Sequence, residues 1–464
     1  MKPMVYRRYL LAVLSLVLAF TYVDRLALGL VLQNVKLALH LSDTELGLLT
    51  GIAFAFFYSI MGIPIARWID RGNRITVLWL AAAVWGLMVA LSGRATNFLE
   101  LMLARSGVAA GEAACAPAAN SLIPDYFSRA ERARAGGIYL MGGSLSLVIG
   151  FFAAGWLNQF FGWRTMFAIL GLPGLVLAVL VRTTLTEPRR ESGVAHYPRD
   201  LVAVTPADPG EIQPVTTRHG CDHSPAAHLT VWEVCRSLWG IATFRRLLIG
   251  SSVTSFFSFG IGAWLPTYFV RSYGFNSGTL GTWFTVVYGL PSVLGIYVGG
   301  EWASQWAAGK ERIQLLAVAS LHVVFGIIWS FVFLAHTAYV AFALMAVGTV
   351  LINLTYAPLF SINQTLVPAR MRGISVAGTS FLSNLIGMGL GPLAAGALSQ
   401  ALQRYFGQES LRYSLFVLNV CCLWQIWYVW QASKTVHSDL DAARSQMCPQ
   451  GYDLDRSVAV LGNK

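Results

Sequence analysis

Residues Arg105-Ser-Gly-Val-Ala-Ala-Gly111-Glu112-Ala-Ala-Cys115-Ala-Pro117 place two full charges inside a stretch otherwise apolar enough to cross a bilayer. Seven residues of α-helix make nearly two turns, so Arg105 and Glu112 project from one face. A charge at bilayer depth costs about 2.5–3.5 kcal/mol on insertion scales, so two on one face need partners or a water-filled cavity. This reading decides the fold class: an all-α membrane protein in which charged helix faces turn towards an interior, away from lipid.

The rest of the chain agrees. Of 464 residues, 56% are hydrophobic and 12% are charged, against about 25% charged in a soluble domain. A net charge of +11 would fit nucleic acid if Lys and Arg formed a patch, but they lie in short loops between apolar runs. That placement is a topology signal. The six cysteines (Cys115, Cys221, Cys235, Cys421, Cys422, Cys448) follow no regular spacing, so disulfides are not expected. Arg7-Arg8 followed by the apolar run Tyr9 to Phe20 resembles a signal peptide. It lacks a small-residue cleavage site, and the apolar pattern resumes after Asp24-Arg25, so it reads as a first span.

Spans of about 20 apolar residues predict twelve transmembrane helices, at 9–32, 45–67, 75–93, 98–122, 134–157, 165–183, 244–270, 278–302, 312–334, 337–362, 372–400 and 411–431. The long gap rich in Pro, His, Asp and Arg divides them six and six. The expected domains are an N-terminal six-helix bundle (1–183), a cytoplasmic linker (184–240), a C-terminal six-helix bundle (241–432) and a polar, disordered cytoplasmic tail (433–464). Thirteen Lys and Arg lie in short loops on the side of the N-terminus, from Lys2 to Arg372, against six on the other (Lys36, Arg94, Arg164, Arg271, Arg404, Arg412). That bias places both termini in the cytoplasm. Four ionisable residues remain at membrane depth: Asp24, Arg25, Arg105 and Glu112. The second half offers only uncharged or aromatic groups at that depth, among them Ser258, Trp264, Tyr288, His322, Asn353, Tyr356 and Asn384.

Several motifs resemble the major facilitator superfamily. Ala66-Arg-Trp-Ile-Asp70-Arg71-Gly-Asn73-Arg74 is similar to its Gly-x-x-x-Asp-Arg-x-Gly-Arg loop, with Ala66 and Asn73 in place of two glycines. Gly142-Gly143, Gly150 and Phe161-Gly162-Trp163-Arg164 also fit, whereas Gly300-Glu-Trp-Ala-Ser304 lacks the Asp-Arg pair of the second-half loop. Within the superfamily, the resemblance is to the spinster-like branch. It rests on Tyr22-Val-Asp24-Arg25, Leu41-Ser42-Asp43, Gly47-Leu48-Leu49, Arg105 with Gly111-Glu112-Ala113, Asp125-Tyr-Phe127, Trp264-Leu-Pro266 and Gly391-Pro392. Ala109 and the early Pro117 depart from that branch. The resemblance implies two pseudo-symmetric six-helix bundles rocking about a midplane site lined by spans 1, 4, 7 and 10.

A carboxyl poised between desolvation and a nearby arginine can change protonation as a cavity changes sides. Asp24 and Glu112 are accordingly the expected proton-coupling residues. Arg25 and Arg105 are the expected substrate-binding cations, Arg because its planar fork matches carboxylate or phosphate, with Ser258 and Tyr356 facing them. Asp70, Arg71, Arg74 and Asp125 form an expected cytoplasmic gate, with Asp70 meeting the positive helix N-terminus of span eleven near Gly373. The competing structural reading of the cluster is a fixed salt bridge between spans 1 and 4. His219-Gly-Cys221-Asp222-His223 to His228 has metal-ligand residue types at no recognised zinc spacing, so a solvated loop is expected and no metal. His322 is expected to pack. The phenylalanines and tryptophans around Phe54 and Phe256 are expected to face lipid or pack.

No phosphate-binding Gly-rich loop, dinucleotide fingerprint or catalytic triad is present, so neither an enzyme nor ATP-driven transport is expected, and no cofactor is called for. The spinster resemblance implies a proton-coupled secondary transporter of an anionic lipid such as a lysophospholipid or sphingoid phosphate. A small organic anion or drug is the alternative substrate, and a channel or transport-derived sensor the alternative class. The expected partners are that substrate, protons and membrane lipids, with no nucleic acid and a monomeric chain. The expected location is a bacterial inner membrane.

Overall fold

The computed structural model describes residues 4–128, 131–188, 231–305, 310–367 and 371–447. Among them every regular element is helical. Nine runs are long and apolar enough to cross a membrane. Two of these, Arg134–Thr184 and Gly378–Ala442, are 51 and 65 residues long, about twice what a bilayer needs. The first bends at Gly162, whose φ of 76° only glycine adopts freely, and the second turns at Gly407, with φ 53°. Phe98–Tyr126, which carries Arg105 and Glu112, is a further membrane-length helix. The described residues thus hold twelve spans, the number that the apolar pattern predicts.

The first span is Met4–Leu39; the second is Asp43–Thr50 continued by Ile52–Arg71; the third is Arg74–Ser92; the fourth is Phe98–Tyr126. Arg132–Thr184 supplies the fifth and sixth. Beyond the amphipathic helix Val231–Gly240 come the seventh (Ala242–Tyr273), the eighth (Ser277–Phe284, Thr285–Gly289, Leu290–Gln305) and the ninth (Glu311–Leu334). The tenth is Ala338–Leu354 with Tyr356–Leu366. The eleventh is Arg372–Leu382, Ser383–Leu390 and Gly391–Phe406, and the twelfth is Ser410–Val420 with Cys422–Met447.

Close glycine contacts set the packing. Span 5 lies on span 1 where Gly142 meets Ser15, span 3 on span 6 where Gly86 meets Gly171 and Gly174, and span 4 on span 3 where Gly111 meets Trp85. In the second half span 11 lies on span 7 (Gly391 on Phe256 and Gly260), span 12 on span 9 (Cys422 on Gly326), and span 8 on span 10 (Gly295 on Val350). The pairs 1·5 and 3·6 thus recur as 7·11 and 9·12, two copies of one packing plan.

The halves meet through spans 1·7, 2·11 and 5·8, in each case towards the face away from the termini. There Gly29 approaches the Ala263 carbonyl, Gly47 the Pro392 carbonyl and Gly281 the Phe151 carbonyl so closely that a Cβ would press on backbone. Trp156 Nε1 donates to Thr282 Oγ1 at 3.1 Å across the same seam.

Two departures from expectation lie at the other end. Glu187, read as linker, is buried against Arg74. The tail after Ser433 is not disordered up to Met447: the helix continues, and Val436 and Leu440 join Val234, Leu238 and Phe244 in an apolar cluster. The His/Cys run 219–228 lies outside the described residues.

Spans 8 and 11 each contain a π-helical segment, Thr285–Gly289 and Ser383–Leu390. Each ends two residues before a proline, Pro291 or Pro392. A proline cannot donate to the carbonyl four residues back and its ring collides with it, so the turn there widens. The displaced turns carry Tyr288 and Met388, and both side chains line the central cavity.

Candidate functional site

Between the halves lies a cavity of about 300 Å³. Spans 1, 2 and 4 contribute Tyr22, Arg25, Phe54 and Arg105; spans 7, 8, 10 and 11 contribute Ser258, Tyr288, Tyr356 and Met388. Its end away from the termini is sealed by buried Leu28, Pro266 and Trp264, whose Nε1 donates to the Pro392 carbonyl at 2.9 Å. Towards the termini, Tyr22 and Tyr356 are 40% and 54% exposed. The cavity therefore opens on the side of the termini.

The four charges form two reciprocal pairs between spans 1 and 4. Arg25 donates to Glu112 Oε2 from Nε at 2.9 Å and again from Nη2, and Arg105 Nη1 donates to Asp24 Oδ2. Neighbouring residues on a helix point about 100° apart, so Asp24 and Arg25 reach different partners. Arg105 and Glu112, two turns apart on one face, each receive one of them. Phe54 stands between the guanidiniums, its ring centroid 4.4 Å from Arg25 Cζ and 5.4 Å from Arg105 Cζ. Tyr22 and Tyr58 flank Arg25 at 5.1 and 5.4 Å. Arg25 Nη1 also contacts Met388 Sδ at 3.3 Å, a link from the cluster to the second half.

The pairs are not equivalent. Side-chain exposure is 2% for both Arg105 and Asp24, but 21% for Arg25 against 1% for Glu112. Asp24 Oδ1 and Glu112 Oε1 are buried without a hydrogen bond, as is Arg105 Nε. A carboxylate oxygen with no donor is where a proton can be added, since protonation turns an acceptor into a donor.

The cavity brings together Arg25, Arg105, Ser258 and Tyr356, while Asp24 and Glu112 stand behind the arginines. Phe54 and Met388 escaped the sequence reading as site residues, whereas Tyr22 entered it only as part of a motif and Tyr288 only as a membrane-depth aromatic. Phe54 was grouped with packing aromatics, and nothing in its neighbourhood of phenylalanines separates it from them. Met388 lines the cavity from within the π-helical segment of span 11, a feature that the apolar pattern does not show.

The residues expected at the gate divide. Arg74 pairs with Asp125 at 2.7 Å and with Glu187, from Nε at 3.0 Å; all three belong to the first half. Asp70 and Arg71 close the second span. The side chains of residues 372–374, beside the expected partner of Asp70, lie outside the described residues. Nearby, Arg7 pairs with Glu131. Hydrogen bonds from Ser128, and then Arg7, hold the Glu131 carboxyl down at about 2. His322 packs as expected. Gln425 Nε2 can only donate, to His322 Nε2 at 3.2 Å, so His322 Nδ1 carries the proton that bonds the Val318 carbonyl at 2.8 Å. Thr254 donates to Gln425 Oε1 and completes the chain.

The family model of the Major Facilitator Superfamily matches residues 14–392. The chain belongs to the major facilitator superfamily. Among relatives of this superfamily member, an "MFS-type efflux pump" of Mycolicibacterium smegmatis is 28% identical, over 88% of this chain and 87% of its own. A "D-galactonate transporter" of Escherichia coli is 24% identical, over 85% and 90%. A solved bacterial homologue of the human lysosomal transporter Spinster, inward-facing and unoccupied, superposes with a TM-score of 0.77 at 26% identity, covering 95% of this chain and 99% of that one. The spinster resemblance of the motifs thus extends over nearly the whole fold.

Proposed function

We propose that this transporter is a proton-coupled secondary carrier of an anionic amphiphile, such as a lysophospholipid or sphingoid phosphate, working by alternating access. The observation that carries the reading is two guanidiniums, Arg25 and Arg105, at one wall of a cavity whose other walls are mainly apolar: Leu26, Leu147, Phe151, Phe259, Ala263 and Met388. The arginines take the acidic head, with Ser258 and Tyr356 opposite, and the apolar walls take the rest. Asp24 and Glu112 carry the proton. Each holds an arginine through one oxygen and keeps the other free, so protonation releases the arginine to the substrate, and substrate arrival favours protonation.

In this reading the termini lie in the cytoplasm of a bacterial inner-membrane protein, an orientation that the Lys and Arg bias supports, and the closed face is then external. Asp70, Arg71, Arg74 and Asp125 close the cytoplasmic side in the opposite state. A small organic acid is the second reading, favoured by the galactonate-transporting relative. Against it, a sugar acid would bury several hydroxyls against aliphatic and aromatic walls, each costing about 1–3 kcal/mol without a partner.

Thermal-shift titration with a lysophospholipid and with galactonate, on wild type and Arg105→Ala, tests the choice. Stabilisation by the lysolipid that vanishes in the variant is expected. Stabilisation by galactonate alone would overturn the lipid reading.

A further inference from the structure

The external closure contains a charge arrangement that the central cavity does not use. Asp43 begins the second span and is 2% exposed. Four donor contacts converge on its carboxylate: Lys36 Nζ at 2.7 Å, Arg271 Nη1 and Nη2 at 2.8 and 2.7 Å, and Ser399 Oγ at 2.7 Å. These donors come from spans 1, 7 and 11. A two-pronged arginine, an ammonium and a hydroxyl around one carboxylate is the donor set that binds a free carboxylate or phosphate. Gln33 Oε1 accepts from Arg271 Nε at 2.7 Å and holds the fork in place.

A pocket of about 300 Å³ continues from this point, edged by Gln33, Lys36, Arg271, Gln403 and Gln408. Other carboxylates nearby are committed. Glu409 pairs with Arg412 at 2.8 Å, and Glu45 caps the second span through Ser42. One carboxylate therefore faces two cations, and the pocket keeps a positive charge.

We propose that this pocket is a second anion site, on the external face, for a carboxylate- or phosphate-bearing ligand, and that Asp43 occupies the anion position while that face is closed. Opening outward separates the first half, with Asp43 and Lys36, from the second, and leaves Arg271 and Ser399 to an incoming anion. The anion in turn competes with the closing contact, so recruitment and opening are linked. The site shares no residue with the central cavity and does not depend on the identity of the transported substrate.

The test is thermal stability of the full chain in phosphatidylcholine nanodiscs, titrated with inorganic phosphate, and in phosphatidylglycerol nanodiscs without it. Asp43→Asn frees the anion position and should lower the half-saturating phosphate concentration about tenfold, the size of one charge-assisted hydrogen bond. Arg271→Gln added to it should erase the gain. Asp43→Ser, which empties the anion position while leaving every donor in place, should give a gain in the same direction and serves if Asp43→Asn does not fold. A gain with phosphate identifies a free anion, and a gain only in phosphatidylglycerol identifies a lipid headgroup; either supports the site. Equal responses from wild type and both single variants overturn it. So does a gain that survives Arg271→Gln but is lost in Arg105→Ala, because the anion would then sit centrally. A gain kept in Arg105→Ala while lysolipid stabilisation is lost separates the two sites.

Discussion

The two halves share a packing plan but not a chemistry. Spans 1·5 and 3·6 of the first half touch through glycines as 7·11 and 9·12 of the second do. Yet the first half carries Asp24, Arg25, Arg105 and Glu112 at its centre, all but Arg25 buried, whereas the second carries the neutral chain Thr254–Gln425–His322. The neutral chain is satisfied at each link and holds spans 7, 9 and 12 together. The charged cluster leaves two carboxyl oxygens and one guanidinium nitrogen unbonded. A satisfied network resists change, and an unsatisfied one can accept a proton or an anion. Duplication of the backbone plan has left one responsive half and one inert half.

The sharpest way to break this contrast lies within the charged half. Asp24→Asn leaves Arg105 buried with no counter-charge and should cost about 3–5 kcal/mol, read as a large drop in melting temperature and folded yield. Glu112→Gln should cost less, because Arg25 can turn towards the open cavity, while pH-driven uptake into proteoliposomes should be abolished. Equal destabilisation by the two variants, or full coupling retained in Glu112→Gln, would remove the division of labour argued here.

Gln425→Leu should cost about 1–3 kcal/mol, since it leaves Thr254 and His322 with one partner fewer in a buried place. Its transport should keep the wild-type pH profile; a shifted profile would mean that the second half also handles protons. Next in size is a pair of matched glycines. A Cβ on Gly86 would lie 2.8 Å from the Gly171 carbonyl, so Gly86→Ala must move backbone and should cost about 1–3 kcal/mol. A Cβ on Gly326 would meet only Cys422 Sγ at 2.5 Å, which can rotate, so Gly326→Ala should cost less. Thermal unfolding in one detergent ranks both.

The smallest effect is expected at the exposed Arg7–Glu131 pair. The Glu131 carboxyl is lowered in the folded chain to about 2. Its contribution is thus complete above its ordinary value near 4.5 and fades as pH falls towards 2. Glu131→Gln should flatten that acid limb slightly and lower the neutral-pH melting temperature slightly, the two values converging as pH falls towards 2.

The twelve spans and the four-charge set were legible because each follows from local composition: an apolar run of bilayer length, and charges interrupting it. The pairing was only half legible. Arg105 and Glu112 share a face by helical periodicity alone, but which of Asp24 and Arg25 each meets depends on how span 1 is rotated against span 4. Glu187 was missed because it follows the last apolar residue of span 6, where sequence reads only the start of a polar linker. Asp43 was read as part of a family motif. Its partners Arg271 and Ser399 lie 228 and 356 residues further along the chain, beyond any local pattern.

Sequence alone determined membrane residence, the number of spans, the division into halves and which half carries charge, because desolvation costs act residue by residue wherever the chain sits in the bilayer. Tertiary structure alone decided which side is closed, which carboxylate each arginine meets, and that Phe54 and Met388 stand beside the charges. Those outcomes depend on rotations and close approaches between distant helices. At such contacts a proline two residues after a π-helical turn, or a glycine against a carbonyl, sets the fit to within an ångström.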